Sequence, residues 1–274
     1  MKKLSTLTLG LLFAAGSAFA QSNDATVDQT GDNHDAQITQ TGELNYATVT
    51  QGNGYNEVIL NQESNAAGSS SATITQNVSG SASANRGHDV QLDQVGYNLA
   101  TITQGAAGNK VLNYTEDGAA TQTSIGGLNT LSITQSTAWS RVFVDQMEGG
   151  NTATVAQFGG NEFVASILQN SENNTATVSQ TGSKSEIDIQ QNDDGGHTAT
   201  VTQGFNFLDG TNNGIILQNG LSQTATLTQY GDGNMSTITQ NGELNVATVM
   251  QDGMSNTATA SQSGVSNTAS ITQN

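Results

Sequence analysis

Glutamine recurs along this chain at a spacing close to eleven residues, and this regularity restricts the fold more than any other feature of the sequence. Gln29, Gln40, Gln51 and Gln62 follow one another at intervals of eleven residues. The same interval returns in the last third of the chain, from Gln218 to Gln273. A fixed period of this kind is typical of repeat architectures, in which each unit stacks on the next.

The text around alternate glutamines repeats as Asn-x-Ala-Thr-(Val/Ile)-x-Gln, for example from Asn45 to Gln51. The unit is therefore about 22 residues long and contains two kinds of strand. The eleven strands with this text, type A, end at Gln29, Gln51, Gln76, Gln104, Gln135, Gln157, Gln180, Gln203, Gln229, Gln251 and Gln273. The ten looser strands, type B, end at Gln40, Gln62, Gln94, Thr115, Gln146, Gln169, Gln191, Gln218, Gln240 and Gln262.

Alternation within each strand predicts two faces. Side chains of successive strand residues point to opposite sides, so Asn45, Ala47, Val49 and Gln51 share one face and Thr48 lies on the other. Gly-, Asn- and Asp-rich segments between the strands are typical of tight turns. An antiparallel meander and a solenoid both fit, and the near-identity at 22 residues favours the solenoid. The predicted fold is all-β, a β-solenoid of two-strand repeats that becomes cross-β on polymerisation.

Inward-facing amides need partners. A buried amide without a hydrogen bond costs roughly 1 to 3 kcal/mol, whereas copies stacked at the ~4.8 Å spacing of strands can pair with the copies above and below. We therefore predict core and ladder roles for Asn23, Ala25, Gln29, Gln40, Asn45, Ala47, Val49, Gln51, Gln62, Asn98, Ala100, Gln104, Asn129, Gln135, Gln146, Asn151, Ala153, Gln157, Asn174, Ala176, Gln180, Gln191, Gln203, Gln229, Gln240, Asn245, Ala247, Gln251, Gln262, Asn267, Ala269 and Gln273.

The first twenty residues have the pattern of a secretory signal peptide. Lys2 and Lys3 precede an apolar stretch at 4–15, and Ala18-Phe19-Ala20 predicts cleavage between Ala20 and Gln21. The mature chain, 21–274, is expected to be secreted and to form one domain of about 10.5 repeats. No later stretch reaches the ~18 apolar residues of a membrane helix. Insertions at turns are expected near 63–75, 77–93, 115–128 and 204–211.

The charge of the chain is strongly acidic, with 23 acidic residues against six basic ones. Such a surface repels nucleic acid, so no nucleic-acid partner is expected. Most carboxylates lie in turns, where they are either solvated turn residues or gatekeepers that slow assembly before export. The turn carboxylates are Asp32, Glu43, Glu63, Asp117, Glu148, Glu172, Asp193, Asp194, Asp232, Glu243 and Asp252.

The sequence contains no recognisable catalytic or metal-binding motif. His34, His88 and His197 are dispersed near the position that Asn usually holds at the start of a strand, there is no cysteine, and no His-x3-His spacing occurs. No nucleophile, base and orienting group recur together. We expect no catalytic, metal or cofactor site, and no enzyme.

Two surfaces leave alternatives open. The outward Thr-x-Thr pairs, such as Thr48/Thr50 and Thr200/Thr202, would form a hydroxyl-and-methyl array like those of ice-binding solenoids, or they simply suit exposed strands. Asp28, Ala156 and Met250 interrupt the second column. On type B strands the outward positions include large apolar residues, which indicates either an adhesive patch or a register error of one residue. These residues are Ile59, Leu112, Phe143, Leu168, Ile215 and Leu217.

The repeat resembles the curlin repeat family, whose unit has Ser-x5-Gln in one strand and Asn-x-Ala-x3-Gln in the other. Ser140 to Gln146 and Ser185 to Gln191 match the first element, and Asn45 to Gln51 matches the second, over about 23–273. The resemblance implies a subunit of curli, an extracellular functional amyloid of biofilms and adhesion, with a nucleator subunit and an outer-membrane secretion channel as partners. Length favours the major subunit. A nucleator, a non-polymerising adhesin and an ice-binding solenoid are the alternatives.

Both ends of the repeat array are expected to be templates for another copy. Residues 267–273 and 23–29 each form a full strand pattern, and an uncovered strand presents unpaired N–H and C=O groups. We therefore expect the chain to polymerise with itself, end to end.

Overall fold

The computed structural model describes residues 22–64, 68–77, 87–105, 108–112, 119–204 and 211–274. In this part of the chain every regular element is a strand, and all strand pairs are parallel within two sheets. Sheet A contains β1 (Asp24–Thr30), β3 (Tyr46–Gly52), β5 (Ser70–Asn77), β7 (Asn98–Gln104), β10 (Asn129–Gln135), β12 (Thr152–Phe158), β14 (Thr175–Thr181), β16 (Thr198–Gly204), β18 (Thr224–Asp232), β20 (Val246–Met254) and β22 (Thr268–Gln273).

Sheet B takes the strands in between. It contains β2 (Asp35–Thr41), β4 (Glu57–Glu63), β6 (Asp89–Val95), β8 (Lys110–Leu112), β9 (Ala120–Thr123), β11 (Arg141–Gln146), β13 (Val164–Gln169), β15 (Glu186–Gly195), β17 (Asn213–Leu221), β19 (Met235–Glu243) and β21 (Thr257–Val265). The chain thus alternates between sheets, one strand in each per turn. The predicted β-solenoid is confirmed, and the antiparallel meander is excluded because like strands pair in parallel.

The register follows the repeat. Ala25 pairs with Ala47 and Gln29 with Gln51, so identical positions stack along sheet A. The inward alanines, valines, leucines and isoleucines of both sheets meet in one continuous apolar cluster. The members of this cluster are all aliphatic, and the columns of buried amides lie in the same space between the sheets. Alternation with a period of two thus gives a thin core with polar flanks.

The fourth strand of sheet B differs from the prediction. β8 and β9 share one level of the sheet, since Lys110 pairs with Asp89 while Gln122 pairs with Gln94. Gln122, rather than Thr115, therefore occupies the strand-end glutamine position, and the expectation of a turn insertion is wrong here because the extra residues interrupt the strand itself. Thr115 lies outside the described residues. Periodicity missed this because the interruption shifts the glutamine by seven residues.

Parts of the other expected insertions belong to strands. β5 occupies 70–77 and β6 occupies 89–95, so the added residues of the first two lie between 64 and 69 and between 78 and 88. The fourth falls mainly at 205–210, outside the described residues. The signal peptide and its cleavage site at Ala20 and Gln21 also lie outside them, and stay predictions.

The large apolar residues of sheet B are not the result of a register error. Val58 and Leu60 are fully buried in the core, so Ile59 between them faces outward. The patch is nevertheless smaller than expected, because Phe143 is only 1% exposed and Leu112 only 9%. Ile215 is 40% exposed, while Ile59, Leu168 and Leu217 are partly buried. The described residues contain no helix with the length and apolarity needed to cross a bilayer.

Candidate functional site

The glutamines that end the strands form two columns of hydrogen-bonded amides, one in each sheet. In every described pair the Nε2 of one glutamine donates to the Oε1 of the next, over distances between 2.7 and 3.0 Å, as from Gln29 to Gln51 and from Gln51 to Gln76. The column in sheet B runs without a break through the interrupted strand, from Gln94 to Gln122 and on to Gln146. Stacked copies thus satisfy each other's amides inside the core.

Most of these glutamines also bond to the opposite sheet. Nε2 of Gln51 donates to the carbonyl of Asp35 at 3.0 Å, and Nε2 of Gln62 donates to that of Tyr46 at the same distance. A carbonyl can only accept, so this contact fixes which end of the amide is NH₂. The donors therefore all point toward the next strand of the same sheet, in the C-terminal direction of the stack. Each column has a direction, with an acceptor at its N-terminal end and a donor at its C-terminal end.

The asparagines at the start of the strands bond differently from the glutamines. Nδ2 of Asn45 donates to the carbonyl of Thr41 at the end of β2, just before the turn, at 2.9 Å. Its Oδ1 accepts from the backbone N–H of Ser70 in the next copy, at 3.0 Å. The expectation that these asparagine amides pair with one another as the glutamines do is therefore wrong for most of the stack, and it holds at its end, where Nδ2 of Asn267 donates to Oδ1 of Asn245 at 3.0 Å. The side chain is one methylene shorter, so it reaches the nearby backbone and fastens the turn to the strand above.

The three histidines lie at the asparagine position. In His197, Nε2 contacts the carbonyl of Asn192 at 2.8 Å and Nδ1 accepts from the N–H of Gln223 at 3.3 Å, so a neutral imidazole reproduces both bonds of asparagine. Burial lowers the pKa of His197 below its ordinary value. Both ring nitrogens of His88 are buried without a hydrogen bond of normal geometry, and burial lowers the pKa of His88 to about 4 against a smaller opposing effect of the Asn77 backbone. The described residues hold no cluster of three or more potential metal ligands.

The predicted ladder residues face the interior in the inner strands. Asn98, Ala100 and Gln104 are buried, as are their counterparts in the strands up to β20. In the outermost strands the same positions are less covered: Ala25 is exposed, and Val27, Ala36, Ile38, Ala269 and Ile271 are only partly buried. Among the described residues, β1, β2, β21 and β22 each pair along one edge only within their sheets. Within the described part of the chain, both ends of the stack therefore leave backbone groups, apolar side chains and the termini of the amide columns uncovered.

The outward threonines stand in register. Thr48 pairs with Thr73, and Thr73 with Thr101, so the first hydroxyl column continues along sheet A. The second column contains Ala156 and Met250 between its threonines, as the sequence indicated. The array is thus continuous over one column and not over two.

The first outward position of sheet B forms a column of charges that sequence analysis overlooked. Asp35, Glu57 and Asp89 stack on one another, followed by Lys110 and Arg141. Partial burial raises the pKa of Glu57, and the neighbouring carboxylates of Asp89 and Asp35 raise it further. Lys110 lies 3.7 Å from Asp89. Aligning the B strands by their glutamines would have revealed most of this column, because Asp35, Glu57, Asp89 and Arg141 each lie five residues before the strand-end glutamine. Lys110 does not follow this spacing, because its level ends at Gln122.

A family model described as the curlin associated repeat matches the chain in five segments. They cover residues 20–42, 165–192, 210–242, 231–264 and 242–274. The matched segments include both outermost parts of the described array: β1 and β2 at one end and β17 to β22 at the other. No curated protein matches the chain closely enough to count as a relative.

Proposed function

This chain is a curlin repeat protein, and on that basis we propose that it is a structural subunit of an extracellular fibre that grows by end-to-end stacking. The family is a structural one whose repeat is that of extracellular fibre proteins. We assign the chain the role of a major, non-catalytic subunit of a curli-like functional amyloid in biofilm matrix and surface adhesion. A surface nucleator of the same fibres is the alternative assignment.

The observation that carries this proposal is the pair of end faces. In the inner strands the amide columns, the apolar cluster and the backbone ladders are all covered by the next copy of the repeat. At β1 and β22 the same groups lack this cover among the described residues, and the column termini are complementary, with an acceptor on Gln29 and a donor on Gln273. A second copy placed in the same orientation brings its β1 onto β22 and supplies the partner that this edge of sheet A lacks.

The remaining parts of the proposal concern export. We propose that residues 1–20 direct the chain across the inner membrane, that it crosses the outer membrane through a secretion channel, and that a nucleator subunit starts growth at the cell surface. The acidic turns support delayed assembly, because like charges keep separate copies apart in solution.

The test places a charge on the inner side of both outermost strands. In the purified mature chain, Val27→Lys combined with Ile271→Lys puts an ammonium where the next copy must pack, while leaving the inner strands untouched. Thr26→Lys combined with Thr272→Lys adds the same charge to the outward side of the same strands. We expect fibres that bind an amyloid dye from the wild type and from the outward variant, and none from the inward variant, by electron microscopy and dye fluorescence.

Two results would contradict the proposal. One is a wild-type chain that stays monomeric for days at high concentration without binding the dye. The other is an inward variant that polymerises at the wild-type rate, because growth would then not use these faces.

A further inference from the structure

One edge of sheet B carries an open groove of about 610 Å³ that is unlike the rest of the surface. Lys110, Arg141 and Lys184 line it together with Trp139. These are the three basic residues that the structure describes, in a chain with six basic and 23 acidic residues. The described cations of an acidic chain are thus gathered at one place.

The arrangement of the cations in the groove is electrostatically unfavourable. Lys110 and Arg141 are direct neighbours in the parallel ladder, where like charges opposite each other are destabilising. Asp89 lies within ion-pair distance of Lys110. Among the described residues Arg141 and Lys184 form no ion pair, although Glu162 and Glu186 also line the groove. Two cations are therefore left to meet an anionic partner.

The indole of Trp139 is held in place beside these cations and is partly exposed to solvent. Its backbone is in the left-handed region, with φ of 61°, which is uncommon for a large side chain. The indole lies over Gly108, where an added Cβ would be 2.9 Å from Cε3 of the ring. The side chain remains 43% exposed. Exposed tryptophan and arginine side by side are typical of the central contacts of protein interfaces.

The opposite edge of the same strands carries a column of carboxylates. Glu148 follows β11, Glu172 follows β13, and Asp193 and Asp194 lie at the end of β15; all four are exposed. The turns that hold them stack, since the N–H of Asn173 bonds to Gly149 and that of Gly196 bonds to Glu172. Arg141 opens β11 and Lys184 precedes β15, so the cations and the carboxylates lie at the two ends of the same strands.

From this placement we infer that the groove receives the carboxylate column of a second copy lying alongside, parallel and at the same height. A sideways shift by one molecular width brings Glu148, Glu172 and Asp193 of one copy to the groove of the next. Such a contact uses two different surfaces and does not close on itself, so it propagates from fibre to fibre. The inference rests on the proposed fibre, and it assigns the groove to lateral bundling rather than to growth.

The first experiment compares fibres assembled from the full mature chain with fibres assembled from variants that lack the groove cations. Arg141→Gln combined with Lys184→Gln lowers the charge by two, and Thr48→Glu combined with Met250→Glu lowers it equally on the exposed face of sheet A. We expect the groove variant to give single fibres and the control to give bundles like the wild type, by electron microscopy. Wild-type bundles should separate as ionic strength rises from about 0.1 M to about 1 M, which shortens the Debye length from about 10 Å to about 3 Å.

The second experiment exchanges the charges. Arg141→Glu with Lys184→Glu makes one variant, and Glu148→Lys with Glu172→Lys makes the other. Fibres of either variant alone should stay single, because both of their edges then carry the same sign. A mixture of the two fibre types should bundle, because each groove then meets a column of opposite charge.

The outcomes separate this inference from the proposed function. If no wild-type fibres form, the proposed function fails. If fibres form and the groove variant bundles like the wild type, or the mixture stays single, the lateral contact is wrong. If wild-type fibres bundle only when an acidic polysaccharide is added, the groove serves a saccharide and the inference is overturned.

Discussion

The regular strands β17–β22 and the interrupted strands β6–β11 show what this repeat requires and what it tolerates. From β17 to β21 each strand has nine residues, and pairing continues into the turns, where Gly220, Gly242 and Gly264 lie in register. In the middle of the chain β8 has three residues and β9 has four. Both regions nevertheless keep the glutamine column at 2.7 to 3.0 Å.

This difference distinguishes the features that every level of the stack needs from the extra residues that individual levels carry. A column needs one amide per level of the sheet, and extra residues can leave the stack and return without breaking it. The turns need a constant length, so they stack only where the spacing is regular. The family model matches 210–274 without a gap and leaves 43–164 unmatched. Most of the groove and the buried Phe143 lie in that unmatched part.

The largest expected effect tests whether the column is equally important in both regions. Gln229→Ala removes the partners of Gln203, Gln251 and the Asn213 carbonyl. Gln122→Ala does the same in the interrupted level. We expect each to lower the free energy of unfolding by roughly 4 kcal/mol, because several buried groups lose their bonds. Urea unfolding of the freshly purified mature chain measures it.

Thr228→Ala is the matched control, because its outward side chain should change stability by less than about 0.5 kcal/mol. A cost for Gln122→Ala of less than about 1 kcal/mol would mean that the interrupted level is not held by the column.

A smaller effect should distinguish stacked turns from uncovered ones. Gly242 and Gly264 have nearly the same left-handed φ, 105° and 109°. A Cβ on Gly242 would collide with the carbonyl of Gly264, whereas a Cβ on Gly264 would find no backbone carbonyl within contact distance. We expect Gly242→Ala to cost about 3 kcal/mol and Gly264→Ala about 1 kcal/mol in the monomer, by thermal or urea unfolding. Equal costs would show that turn stacking adds nothing.

The smallest effect concerns the asparagine position in the irregular region. The pKa of His88 is about 4 in the folded chain and about 6.5 when exposed. The unfolded chain therefore binds the proton first, so stability is complete above pH 6.5 and falls as the pH drops toward 4. At pH 5 the loss should be about 2 kcal/mol at most. His88→Asn should remove it, which paired urea titrations at pH 7 and pH 5 would measure.

Wild type and variant that lose the same stability between these pH values would contradict the assignment to His88. The comparison cancels the opposite contribution of Glu57, whose pKa is raised and which is present in both proteins.

The repeat text predicted most of the fold, because its signals are local. Asn45, Ala47, Val49 and Gln51 lie on one face by alternation alone, and the recurrence of that text placed like strands over like strands. The glutamine columns followed from the same reasoning. The asparagine bonds did not, because they depend on where the carbonyl of Thr41, at the end of β2, lies relative to the side chain, which spacing does not specify.

The sequence by itself determined the two faces of each strand, the alternation between two sheets and the amide columns, because each depends on residues within one 22-residue unit. Only the tertiary structure decided that Gln122 takes the position expected for Thr115, and that Lys110, Trp139, Arg141 and Lys184 line one groove. These residues lie up to several turns apart in the chain. They meet because insertions of unequal length change which residues reach the same level and edge of the stack, and that outcome depends on the whole solenoid.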